Sequence, residues 1–114
     1  MYKVLIVMEQ DGLRDLLLSE LQKDCEITVC GNAVEGEELL RYRPDVLILD
    51  LFLPGINGFT FLRENRVLLP PVIIALSTLL SPKILRELKD LGITSVVRKP
   101  CTVDVVTSCL NISR

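Results

Sequence analysis

Five short apolar, β-branched runs punctuate the chain, at residues 3–7, 26–30, 46–49, 72–76 and 94–97. Four are almost continuously apolar, the pattern of strands covered on both faces. The run at 26–30 (Glu-Ile-Thr-Val-Cys) alternates instead, which suits an edge position. The segments between them carry helical spacing. Leu13, Leu16, Leu17 and Leu21 predict one buried stripe. Asn32 is placed to cap a second helix that runs through Leu39 and Leu40, with Glu35, Glu37 and Glu38 near its positive end. Asn57-Gly58 opens a third over residues 59–65. Ser81-Pro82 reads as an N-cap followed by proline in the first turn, on a helix that buries Ile84, Leu85, Leu88 and Leu91 and stops at Gly92. Thr102 caps a fifth helix, predicted over residues 102–113 and carrying Val103, Val106 and Leu110.

Strict βα alternation predicts an α/β, doubly wound sheet of five parallel strands with right-handed crossovers. The common open order for five such units is 2-1-3-4-5, with helices on both faces as a three-layer sandwich. At 114 residues the chain reads as one domain, large enough to fold without a metal or disulfide staple.

Charge and cysteine content narrow the chemistry. With 13 Lys plus Arg against 15 Asp plus Glu, no basic excess argues for direct nucleic-acid binding. No apolar run is long enough to span a bilayer. The longest, residues 68–80, is interrupted by Pro70, Pro71, Ser77 and Thr78. The first residues enter a strand with no cleavage-site pattern, so no signal peptide is expected and the cytoplasm is the expected compartment. Cys25, Cys30, Cys101 and Cys109 form no CxxC pair and there is no histidine, so they are read as free thiols. Lack of histidine also removes Ser-His and Cys-His nucleophile pairs. Carboxylates, hydroxyls and lysine remain.

In such a sheet, ligands bind beyond the carboxyl ends of the strands. Strand 1 ends in Met8-Glu9, strand 3 in Asp50, strand 4 in Ser77-Thr78 and strand 5 in Lys99-Pro100. Two carboxylates, hydroxyls and an ammonium therefore converge on one rim. Carboxylates suit a hard cation such as Mg2+, and Ser77 and Lys99 suit phosphate oxygens.

The run Leu47-Ile48-Leu49-Asp50-Leu51-Phe52-Leu53-Pro54-Gly55, followed by Asn57-Gly58, together with Ser77 and Lys99-Pro100, resembles the receiver domain of bacterial two-component response regulators over residues 3–110. The resemblance implies a flavodoxin-like fold and a phosphorelay switch, not an enzyme beyond its own phosphotransfer and slow dephosphorylation. It implies that Asp50 accepts a phosphoryl group from a sensor histidine kinase or phosphotransfer protein. It implies Mg2+ held by Glu9, Asp50 and the backbone carbonyl of Phe52, with Ser77 and Lys99 on the phosphoryl oxygens. The peptide before Pro100 is expected to be cis. The face of helix 4, strand 5 and helix 5 is expected to change on phosphorylation, to serve a possible homodimer and to regulate an output such as transcription. A DNA-binding output domain is expected in a longer parent protein.

The chain departs from the family pattern at three places. Met8 stands where the family usually has the first of two acids, so weakened Mg2+ binding and slower phosphorylation are expected. Val96 stands at the aromatic switch position, where valine cannot rotate between exposed and buried rotamers, so coupling from Ser77 to the face near helix 4 is either lost or carried by backbone movement. Phe52 and Leu79 are large and apolar, with Thr78 in place of a small residue, so a slowly hydrolysed aspartyl phosphate is expected. Asp11 is read as a helix cap in preference to a metal ligand. Met8 and Val96 support a rival reading, a pseudo-receiver that binds partners without phosphorylation. A Mg2+-dependent phosphohydrolase with a strand-end Asp nucleophile needs a second Asp two positions on, where this chain has Phe52.

Overall fold

The computed structural model describes residues 2–93 and 95–110. The chain alternates strand and helix: β1 (Tyr2–Val7), α1 (Gly12–Leu21), β2 (Cys25–Cys30), α2 (Ala33–Leu40), β3 (Val46–Asp50), α3 (Gly58–Glu64), β4 (Val72–Ser77), α4 (Pro82–Asp90), β5 (Ser95–Arg98) and α5 (Val103–Ser108). A short 3-10 turn, Arg66–Leu68, follows α3. The strands form one all-parallel sheet in the order β2-β1-β3-β4-β5, as the alternation predicts. β2 lies at the edge, in keeping with its half-exposed pattern.

Successive strand residues point to opposite faces, and the core divides accordingly. Leu5, Val7, Leu47, Leu49 and Ala75 pack with Leu40, Phe61, Leu62 and Leu88 of α2, α3 and α4. Val4, Ile6, Met8, Val46, Ile48, Ile74, Leu76 and Val97 pack with Leu17, Leu21 and Val106 of α1 and α5. Burying a Leu or Ile side chain contributes roughly 1.5–3 kcal/mol, so these two layers dominate stability.

All five helices start on the predicted caps. Asp11, Asn32, Asn57, Ser81 and Thr102 each accept the backbone N–H three residues on. Helix α4 ends in a paired-bond cap: Gly92, at φ +83°, donates to the Lys89 carbonyl and Ile93 donates to that of Leu88.

The apolar stripes are narrower than predicted. Leu16 is 59% and Leu85 44% exposed, although the helical spacing predicts both as buried. Each sits one position, about 100°, from the inward residues Leu17 and Ile84, which turns it away from the sheet. Helix α5 is observed as Val103–Ser108, residues 109–110 form a turn, and the last part of the predicted helix (residues 111–113) lies outside the described residues. So does Thr94, the predicted start of β5.

Candidate functional site

Backbone bonds extend the ladders past the strand ends and draw the loops to one rim. Met8 donates to the Cys30 carbonyl (3.0 Å), Leu51 to that of Leu76 (2.9 Å) and Lys99 to that of Ser77 (2.8 Å). Asp50 therefore lies beside the ends of β1, β4 and β5. The loop after it is clamped by a 2.7 Å bond from the Gly58 N–H to the Leu51 carbonyl. A Cβ at Gly58 would stand 2.7 Å from the Leu51 Cα, so only glycine permits this approach. The clamp fixes where Phe52 leaves the strand.

Asp50 is 9% exposed, and both of its carboxylate oxygens are engaged. Oδ1 accepts the Phe52 N–H at 2.9 Å and Oδ2 accepts the Lys99 ammonium at 2.9 Å. Lys99 also reaches Asp11 Oδ2 at 3.5 Å. Burial alone would lower the pKa of Lys99. The hydrogen bond and charge of Asp50, joined by Asp11, outweigh it and hold the pKa above the usual 10.5. The Lys99–Pro100 peptide is cis, as the resemblance implied.

Ser77 is fully buried at the end of β4. Its hydroxyl donates to the Leu79 carbonyl at 2.6 Å and accepts the Leu79 N–H at 3.1 Å. It is thus committed to its own loop. Phe52 (48% exposed) and Leu79 (59% exposed) stand at the rim, in the loops that follow Asp50 and Ser77.

The β1 side is different. Met8 is wholly buried among the residues under α1 and α5, and its carbonyl is held by the Arg14 guanidinium at 3.1 Å. Glu9 is exposed, with no hydrogen bond or ion pair among the described residues. Among those residues, no three His, Cys, Asp or Glu side chains lie together as a ready metal cage. Asp50 and Lys99 meet, as their places at the strand ends predict, and Lys99 also reaches Asp11, a contact the cap assignment of that acid does not predict. These two are 88 positions apart, and only the shared rim of β1 and β5 could have suggested the contact.

None of the four cysteines is joined in a disulfide. Burial pushes the Cys30 thiol up to about 11, so it stays protonated at neutral pH. Burial also raises Cys101, although the nearby Lys99 charge opposes this.

A family model, "Response regulator receiver domain", matches residues 4–111. This chain belongs to that family. Among solved structures, this receiver domain is similar to the Vibrio cholerae chemotaxis protein CheY4 (TM-score 0.86, 28% identity, 96% of each chain covered). It is also similar to the BeF3-activated N-terminal receiver domain of Klebsiella pneumoniae RstA (TM-score 0.80, 27% identity, 95% of this chain and 94% of that one). Curated relatives include the protein-glutamate methylesterase/protein-glutamine glutaminase of Hydrogenovibrio crunogenus, 38% identical over 104 residues, which cover 86% of this chain and 28% of the relative. Another of that name, from Syntrophus aciditrophicus, is 36% identical over 107 residues, 88% of this chain and 31% of the relative. The chain thus spans less than a third of the length of these relatives. Their name is that of an enzyme, and it lends no support to the expectation of a transcriptional output.

Proposed function

We propose that this receiver domain is a phosphoacceptor switch in which Asp50 takes a phosphoryl group from the phosphohistidine of a kinase or phosphotransfer protein. The observation that carries this reading is the Asp50–Lys99 pair: a nine-tenths buried carboxylate at a strand end, with its oxygens oriented by the Phe52 N–H and the Lys99 ammonium. In the step, one Asp50 oxygen forms a bond to phosphorus. The N–P bond to the imidazole breaks, and its electron pair stays on the ring nitrogen. Lys99 then follows the charge from the carboxylate to the phosphoryl oxygens. Positioning and charge neutralisation of this kind supply most of what phosphoryl transfer needs.

Receiver domains bind Mg2+ at an acidic pocket. Here the donors would be the carboxylates of Glu9 and Asp50 and the carbonyl of Phe52. All are hard oxygens, and one or two carboxylates with waters and phosphate suffice for this ion. The set fits in kind, with one carboxylate fewer because Met8 has gone into the core. When bound, the ion supplies neutralisation of the phosphoryl oxygens.

Ser77 can donate to a phosphoryl oxygen only by releasing the Leu79 carbonyl, so transfer would rearrange the β4–α4 loop. With Val96 in place of an aromatic, the change reaches the α4–β5–α5 face through that backbone. Leu85 on α4 and Val105 on α5 are each exposed apolar side chains that a partner or a second copy would cover. The methylesterase relatives favour an effector enzyme over transcription as the output.

The buried Met8 favours a second reading, a partner-binding domain that is never phosphorylated. One measurement decides between them. The intact mass of wild type and Asp50→Asn is taken after incubation with Mg2+ and a small phosphodonor such as acetyl phosphate. An adduct in wild type alone is expected. No adduct at high Mg2+ would establish the second reading.

A further inference from the structure

Asp11 divides its carboxylate between two tasks. Oδ1 accepts the Arg14 N–H at 2.8 Å and so caps α1, while Oδ2 faces the Lys99 ammonium at 3.5 Å. The cap bond fixes the carboxylate, so its second oxygen is aimed at the lysine by the fold of the β1–α1 loop. The ammonium therefore sits between two carboxylates, nearer Asp50 (2.9 Å) than Asp11 (3.5 Å). The Lys99 side chain is 19% exposed, which leaves it few alternatives in water.

We infer that Asp11 is a positioning residue of the phosphoacceptor pocket, which acts through Lys99 to limit how firmly the ammonium is held by a phosphoryl group on Asp50. The inference rests on the phosphoacceptor reading of Asp50. Phosphorylation raises the negative charge at Asp50 from one to about 1.5–2. Asp11 opposes that change twice: it competes for the ammonium, and it repels the added charge. Both effects favour the unphosphorylated state, so the loop acid biases the switch towards rest. Met8 supplies no charge at this rim, so Asp11 and the unpaired Glu9 are the acids that the β1 side offers. Of the two, only Asp11 touches Lys99.

The charge can be removed without removing the cap, because Asn and Ser cap helices as well as Asp does. In Asp11→Asn and Asp11→Ser, the ratio of phosphorylated to unphosphorylated protein is read by intact mass at saturating Mg2+ and fixed acetyl phosphate. A rise of about threefold or more is expected in both, shrinking at 1 M salt because Asp11 is 41% exposed and open to screening. Thermal midpoints should match wild type. An unchanged or lower ratio in both folded variants overturns the inference. If wild type forms no adduct, the reading of Asp50 fails and a second measurement judges the positioning claim by itself. That measurement is the NMR signal of the Lys99 ammonium at low temperature, which should lose protection from exchange in Asp11→Asn. Equal protection in the two proteins overturns the claim.

Discussion

The two sides of the strand-end rim are built on opposite terms. On the β3–β5 side, Asp50 and Lys99 are largely buried and joined at 2.9 Å, with each carboxylate oxygen assigned a donor. On the β1 side, Met8 has joined the core, Glu9 is exposed and unpaired, and Asp11 reaches in only through Lys99. A cluster of carboxylates without a cation repels itself, and desolvation adds to that cost. The thioether of Met8 adds no such charge and packs in the core. The half of the rim that holds Asp50 and Lys99 is thus set by the sheet, whereas on the β1 half polar side chains have given way in part to apolar burial.

Met8→Asp attacks that burial directly, and the largest effect is expected from it. The side chain is fully buried between β1 and the α1–α5 layer. An aspartate there loses the apolar contacts and either desolvates a charge or pulls away from the core. Unfolding by urea in a chelator should show a loss of about 2–4 kcal/mol. Millimolar Mg2+ should return part of it, because a ligand that binds only the folded state stabilises that state. A variant as stable as wild type in the chelator would mean that Met8 contributes nothing to the core.

Much of the better-built side was legible in the sequence, because period and topology alone place strand ends together. Near-continuous apolar runs gave the buried strands, the caps gave every helix start, and the 2-1-3-4-5 order brought Asp50 to Lys99. Three features escaped because they depend on orientation rather than spacing. Leu16 and Leu85 satisfy a helical repeat yet point outward, since a helix on a sheet buries less than its full apolar arc. The bond from Ser77 to the Leu79 carbonyl belongs to a loop conformation that no pattern of residue types specifies. The contact of Asp11 with Lys99 joins residues from opposite ends of the chain, and a good cap was already a sufficient explanation of the acid.

A smaller effect tests whether the complete side is also the dry one. Phe52 and Leu79 stand half-exposed at its mouth, where they can exclude an attacking water. Phe52→Asn should speed loss of the phosphoryl group by about tenfold, equivalent to about 1.4 kcal/mol of barrier. The check is the decay of the adduct mass after the donor is removed. A decay rate equal to that of wild type would show that water reaches the site past these side chains already.

The smallest effect concerns the Asp50–Lys99 pair itself. Burial draws the ammonium's pKa down, but the hydrogen bond and charge of Asp50, then Asp11, hold it above 10.5 in the folded protein. A basic group whose pKa rises on folding contributes stability that is complete below its unfolded value and is lost as pH climbs through the raised one. Wild type should therefore lose stability relative to Lys99→Met as pH is taken from 9 to beyond about 10.5. The pair is open to water on one side, so the change should stay under about 1 kcal/mol. Urea unfolding in chelator at both pH values reads it. A difference that does not move with pH would mean that Lys99 serves the resting pocket by packing its methylenes, and that the charge now opposite Asp50 matters only once a phosphoryl group arrives.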